Sequence, residues 1–259
     1  MTAARAGAAV VLGRYNTPLT RFDKPGGDFA TDADLAAERA VIRVIKASRP
    51  ADAVTGEESG SAGADGAERR WLIDPLCGTL NYAARTMMAA VNVALQTRNG
   101  VTAAAVADPF AEEAFWTDGK RAWCRGSAGT DASLAPSPGS RLVDVNLDPP
   151  FPNAPGFRAA ALLADPVFAA RFRPRVVSTT LAVAWVAAGR RAAYVTDGHL
   201  AGSVHFTAGI ALCQAAGCAV TSLDGSPVYA GSGGLVAAAD WQTHAELLEL
   251  ITQQFRSAS

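Results

Sequence analysis

Trp71-Leu72-Ile73-Asp74-Pro75-Leu76-Cys77-Gly78-Thr79-Leu80-Asn81-Tyr82 is the stretch on which the reading of this chain turns. Trp71-Leu72-Ile73 is a brief apolar run of the kind buried inside a sheet. It ends at Asp74-Pro75, because proline cannot donate to a strand ladder. Gly78-Thr79 then opens a helix. At such a strand-to-helix turn the N–H groups of Gly78 and Thr79 have no helical partner and are suited to an anion.

Working outward, residues 4–15 read as a helix, and Pro25-Gly26-Gly27 as a turn. Thr31 or Asp32 caps a second helix over 33–48, with Leu35, Ala36, Val41, Ile42 and Ile45 at helical spacing. A short strand, Ala53–Gly56, runs into Glu57-Glu58-Ser59, and 60–68 reads as a Gly-rich loop. Downstream, 89–98 and 101–107 are strand-like around Asn99-Gly100, and a further hairpin surrounds Asp118-Gly119. The Gly, Ser and Pro content of 126–140 marks a linker, so the expected subdomains are 1–140 and 141–259. The second half alternates short strands (142–147, 175–177, 192–196, 219–222, Leu235–Ala238) with helices (156–164, 180–188, 208–216, 240–256). Mixed elements in both halves predict an α/β or α+β layered fold.

Composition narrows the function. Among 259 residues, 23 Lys+Arg stand against 24 Asp+Glu, for a net charge of −1. That balance excludes attraction to nucleic acid or to an anionic membrane as the main purpose. With 49% hydrophobic and 18% charged residues, the chain has the makings of a packed core. No segment reaches the ~18 uncharged apolar residues of a membrane span. The apolar N-terminus lacks a clear cleavage site and reads as part of the first helix, not as a signal peptide. Cys77, Cys124, Cys213 and Cys218 show no C-x-x-C pair, which predicts reduced thiols and a cytoplasmic location. There is no P-loop, no G-x-G-x-x-G after a strand and no G-x-S-x-G elbow.

With these residues in view, the chain resembles the inositol monophosphatase family of metal-dependent phosphatases over nearly its whole length. The likeness is carried by Asp28-Phe29-Ala30-Thr31-Asp32-Ala33-Asp34 with Glu38, by Gly56-Glu57-Glu58-Ser59, and by the opening stretch. It continues through Ala107-Asp108-Pro109, Ser178-Thr179-Thr180-Leu181 and Val204-His205-Phe206-Thr207-Ala208-Gly209. The resemblance implies a five-layered α-β-α-β-α sandwich, a homodimer, a small-molecule substrate and two or three Mg²⁺ ions. By position, Glu57 and Asp74 match metal ligands, and Leu76 matches a backbone-carbonyl ligand. Thr79 matches the hydroxyl that positions the attacking water, and Asp34 the carboxylate that orients it. Asp197 matches a substrate-contacting carboxylate, and Lys24 a basic residue near the site.

The chain departs from that pattern twice: Cys77 and His205 stand where the family carries metal-binding aspartates, and Val204 replaces the preceding Trp. Mg²⁺ wants oxygen ligands in near-octahedral geometry, which sulfur and imidazole nitrogen do not supply. The resemblance implies that both substituted side chains face one point. The sequence therefore predicts a Cys77–His205 nucleophile–base pair for acyl chemistry with no cofactor. In that reading Asp74 or Glu57 orients the ring, and the Gly78 and Thr79 N–H groups hold the oxyanion. Three alternatives stand beside it. One is a Mg²⁺-dependent phosphomonoesterase of a small sugar or cyclitol phosphate that keeps Glu57, Asp74 and Thr79. Another is Zn²⁺ held by Glu57, Asp74, Cys77 and His205, and the last is a non-catalytic binding protein. His199 reads as a loop residue, His244 as a solvated residue of the last helix, and Trp185 and Phe206 as core.

Overall fold

The computed structural model describes residues 1–64 and 66–257. Contacts group them into two units. The first contains Met1–Ser133 with Thr179–Leu181 and Val204–Leu212, and the second Leu134–Ser178, Ala182–Ser203 and Cys213–Ser259. The second half of the chain thus lends two short segments to the first unit, and one of them carries His205, which the sequence assigns to the C-terminal subdomain. They are held there by bonds from Thr180 and His205 to residues of the central strand, described below.

The first unit runs α1 (Thr2–Arg14), β1 (Arg21–Asp23), β2 (Phe29–Thr31), α2 (Asp32–Ser48), β3 (Ala53–Gly56), β4 (Gly60–Ala62), β5 (Arg69–Cys77), α3 (Thr79–Ala83), β6 (Ala90–Thr97), β7 (Gly100–Asp108), β8 (Glu113–Thr117), β9 (Ala122–Arg125) and β10 (Asp131–Ser133). Eight strands form one sheet in the order β10-β9-β8-β7-β6-β5-β3-β4. Its neighbours are antiparallel except β3 and β5, which run parallel. The helices α1 and α2 bury Ala4, Val11, Ala37, Val41 and Ile45 with Ile73, Val91, Val93 and Ala105 of the sheet. The apolar alternation of β6 and β7 is what makes that face. Thr31 caps α2: its hydroxyl accepts from the Ala33 N–H while Asp34 accepts from the Thr31 N–H, a capping box.

The second unit runs β11 (Leu142–Val145), α4 (Ala159–Ala164), α5 (Pro166–Arg171), β12 (Arg173–Val176), α6 (Leu181–Ala187, its first residue shared with the first unit), β13 (Ala193–Thr196), α7 (Thr207–Ala216, its first half in the first unit), β14 (Ala219–Thr221), β15 (Leu235–Ala238) and α8 (Trp241–Ser257). The sheet order is β12-β11-β13-β15-β14, parallel on the β11 side and antiparallel at β15. Its core joins Val143, Val145, Phe157, Phe168, Val195 and Val236 to Leu247, Leu250 and Ile251 of α8. The α/β class expected from sequence is the class observed.

Three local readings are corrected. Residues 60–68 are not loop throughout, since Gly60–Ala62 pairs with β3 as β4. The linker stretch contains β10, which pairs with β9. His244 is buried, not solvated: its Nε2 lies 2.7 Å from Thr221 Oγ1. It shares a face of α8 with Leu247 and Ile251, three and seven residues on, and burial holds its pKa below the usual histidine value. Among the described residues no helix is long and apolar enough to cross a membrane.

Candidate active site

Parallel pairing of β3 with β5 brings two carboxylates to one sheet edge. Gly56 stands opposite Ile73, and the Glu57 N–H donates to the Ile73 carbonyl at 3.0 Å, so Glu57 and Asp74 leave the ladder side by side. Glu38, buried on α2, fixes the Glu57-Glu58 turn by accepting the N–H groups of Glu58 and Ser59, both at 2.9 Å. Gly56 is needed there, because a Cβ at that position would stand 2.5 Å from Glu38 Oε2. Lys24 donates to Glu57 Oε1 at 3.0 Å and to Glu58 Oε1 at 2.6 Å.

Beyond Asp74 the strand breaks register. Asp74 pairs with Asn92 and Cys77 with Ala90, so β5 spends one residue more than β6 over the same span. This bulge at Pro75-Leu76 accommodates a proline in an interior strand. It also changes which way Cys77 faces. Three residues apart on a regular strand, Asp74 and Cys77 would point to opposite faces; with the bulge they converge. A carboxylate oxygen of Asp74, the Cys77 sulfur and a ring nitrogen of His205 all lie within 4.8 Å of one another.

Asp74 is fully buried and held from several sides. Its Oδ1 accepts the Leu76 N–H at 3.2 Å. Its Oδ2 accepts Asn92 Nδ2 at 3.2 Å and lies 2.8 Å from His205 Nδ1. Asn92, also buried, donates on to Thr180 Oγ1 at 2.8 Å. The Thr180 N–H meets Cys77 Sγ at 3.3 Å, and the Thr179 hydroxyl donates to the Cys77 carbonyl at 3.2 Å. Gly78 follows in the left-handed region at φ +99°, a turn that glycine makes without steric cost. It delivers Thr79 to the start of α3. The Thr79 hydroxyl is 2.9 Å from Asp34 Oδ1 and 3.1 Å from the Leu76 carbonyl, and can donate to either. Asp34 Oδ2 takes the N–H and hydroxyl of Thr31.

Burial raises Asp34 to about 6 against the hydrogen bonds from Thr31 and Thr79. Burial, then the charge of Asp74, raises Glu57 to about 8, with His205 and Lys24 opposing. Burial disfavours the charged His205 ring, yet Asp74, the bond to Cys77 and Glu57 together hold its pKa well above the usual histidine value. For Cys77, burial and then Asp74 push the thiol up, and the bonds from His205 and Thr180 offset only part of this. These directions oppose thiolate chemistry: the thiol keeps its proton, and a ring already carrying its proton cannot act as a base.

The structure therefore gathers Asp34, Glu57, Asp74, Leu76, Cys77, Gly78, Thr79 and His205 in the first unit. Asp197 lies in the second, buried, where it accepts from Asn153 Nδ2 at 2.7 Å, the Asn153 N–H at 3.2 Å and the Gly198 N–H at 2.8 Å. His199 is exposed, and Trp185 and Phe206 are partly buried. Sequence reasoning gave no role to Glu38, Asn92 or Thr180, and singled out Glu58 only as half of the Glu57-Glu58 pair. For Asn92 a signal was available, an amide in the middle of the apolar run Ala90–Leu95.

Comparison with known proteins closes the description. The sequence model of the inositol monophosphatase family matches residues 1–256. An inositol-1-monophosphatase, ImpA, of Mycolicibacterium smegmatis is 32% identical over 97% of this chain and 92% of its own length. An inositol-1-monophosphatase of Caulobacter vibrioides is 30% identical over 90% of this chain and 91% of its own. In fold, the solved IMPase of Thermotoga maritima superposes with a TM-score of 0.83 at 20% identity, covering 100% of this chain and 97% of that one.

Proposed function

Because the chain belongs to the inositol monophosphatase family, we propose that it is a Mg²⁺-dependent phosphomonoesterase acting on a small sugar or cyclitol phosphate at an altered metal site. Two expectations are corrected by that membership. Acyl chemistry on Cys77 and His205 gives way to phosphatase chemistry, since the family model covers the chain and two relatives matched over nearly their full length are inositol-1-monophosphatases. The expectation of no cofactor gives way to Mg²⁺, on which the family depends.

The donor set fits one hard ion. Glu57 and Asp74 offer carboxylate oxygens and Leu76 a carbonyl oxygen, the ligands Mg²⁺ accepts. Burial and the neighbouring Asp74 push Glu57 up to about 8. Cys77 and His205 do not suit that ion. These three oxygens would hold Mg²⁺, which would neutralise charge and polarise the phosphate ester.

The rest is done by the chain. By donating to Asp34, the Thr79 hydroxyl turns its lone pairs outward to receive a proton from the attacking water. Asp34, ionised above about pH 6, takes the Thr79 proton as the water gives up its own. The Gly78 and Thr79 N–H groups offer donors to the phosphate oxygens. The observation that carries this reading is the Thr79–Asp34 hydrogen bond on the same turn as the Asp74 and Leu76 oxygens.

The test is phosphate release from a panel of sugar and cyclitol monophosphates with Mg²⁺, with and without EDTA. Release that EDTA abolishes and that Glu57→Gln reduces supports the reading; no release from any ester under Mg²⁺ sinks it.

A further inference from the structure

We propose that Asp74, Cys77 and His205 form a binding site for a borderline-soft divalent cation of the zinc class, beside the oxygen donors Glu57, Asp74 and Leu76. This deepens the phosphatase reading and rests on it for the use of the ion, but not for the site itself.

The cluster is the one group of its kind among the described residues: carboxylate oxygen, thiol sulfur and imidazole nitrogen, mutually within 4.8 Å. The set is wrong for Mg²⁺, which asks for about six oxygens at about 2.0–2.1 Å. It is right for Zn²⁺, which takes sulfur, nitrogen and oxygen tetrahedrally. Glu57 falls outside the cluster, its Oε1 engaged by Lys24. Three protein ligands leave a fourth position open, the pattern of a catalytic and not a structural zinc site.

The surroundings support the ligands as a metal site requires. Leu76 and Asn92 fix the two oxygens of Asp74, and the Thr180 N–H points at the Cys77 sulfur, a bond that a thiolate strengthens. Asn92 Oδ1 is buried without a hydrogen-bond partner, beside the ligand its own Nδ2 holds. Water on the open position is the donor class it lacks. Asp74 is sealed, but the His205 side chain keeps 43% of its surface exposed, which gives an ion its way in.

Occupancy is balanced in protons and charge. The ion displaces the S–H proton of Cys77 and the proton shared by His205 Nδ1 and Asp74 Oδ2, and both leave to solvent. Thiolate and carboxylate then neutralise the dication, with imidazole as the neutral ligand. The 2.8 Å contact between Nδ1 and Oδ2 widens to roughly 3.3 Å, the ligand spacing of tetrahedral bonds near 2.0 Å.

The experiment strips the full chain with a chelator and titrates it with Co²⁺ alone, an optical probe for zinc sites. A thiolate-to-cobalt charge-transfer band should rise with the strong visible bands of tetrahedral cobalt and saturate at one ion per chain. Zn²⁺ should erase them and excess Mg²⁺ should not. Cys77→Ser should remove the charge-transfer band, and His205→Gln, which removes a ligand, should weaken Zn²⁺ binding by at least the roughly 10²-fold that loss of an outer-shell partner can cost. No band in the unaltered chain, or a band that survives Cys77→Ser, overturns the proposal; the first result needs no variant to fold. The two readings separate cleanly. A band without phosphate release keeps the site and removes the phosphatase, whereas release with Mg²⁺ and no band does the reverse.

Discussion

Thr79 acts through a single hydroxyl, so its removal has a definite signature. Thr79→Ala should lower kcat by about 10²–10³-fold with little change in KM, and Asp34→Asn should do the same. The double variant should be no worse than the poorer single one, because the two residues move one proton. Since Asp34 titrates at about 6 and works ionised, kcat should fall as pH drops through about 6. A kcat flat from pH 5 to 7 would remove Asp34 from the mechanism. Replacing Cys77→Asp together with His205→Asp should trade zinc-class affinity for Mg²⁺ affinity, measured by calorimetry with each ion. At this scale the sequence was legible wherever a residue type stood out, as Cys77 and His205 do. The role of Glu38 was not legible, and Lys24 was placed near the site without its pairing, because their partners lie 20 and 33 residues away. Local spacing carries no trace of such a pairing.

The elements that aim the site can be tested in the same way. Glu38→Ala leaves the N–H groups of Glu58 and Ser59 without their acceptor. It should cost about 1–3 kcal/mol in urea unfolding, while Glu38→Gln, which keeps an acceptor, should cost less. Elements with a clear apolar pattern were readable: β8, β9 and β15 fall where they are read, and α2 falls within a residue of its reading. Short polar strands were not. β4 (Gly60–Ala62) and β10 (Asp131–Ser133) are fully exposed and have no apolar alternation to show; pairing with a neighbour makes them strands. His244 was misread from its type, although its spacing to Leu247 and Ile251 placed it on the apolar stripe.

For the molecule as a whole, the two cores are distinct clusters. Leu250→Ala, fully inside the second, should cost about 2–5 kcal/mol, read by denaturant unfolding. It should leave the cobalt spectrum of the folded protein unchanged, since every ligand belongs to the first unit. A spectrum that shifts in that variant would show that the ligands depend on the second core. The α/β class followed from the mixture of elements, but the grouping did not. Nothing in the local order of residues announces that Val204–Leu212 and Thr179–Leu181 join the first unit, because long-range bonds decide it, from His205 to Asp74 and from Thr180 to Cys77.

The extra residue in β5 makes the distance along the chain part of the ligand set. Straightening β5 while keeping Cys77 three residues beyond Asp74 would swing the sulfur to the far side of the sheet, with Asp74, Cys77 and His205 still present by name. Grafting a cysteine three residues beyond an aspartate, with a histidine, onto a regular strand without this bulge would therefore transplant the letters without the chemistry.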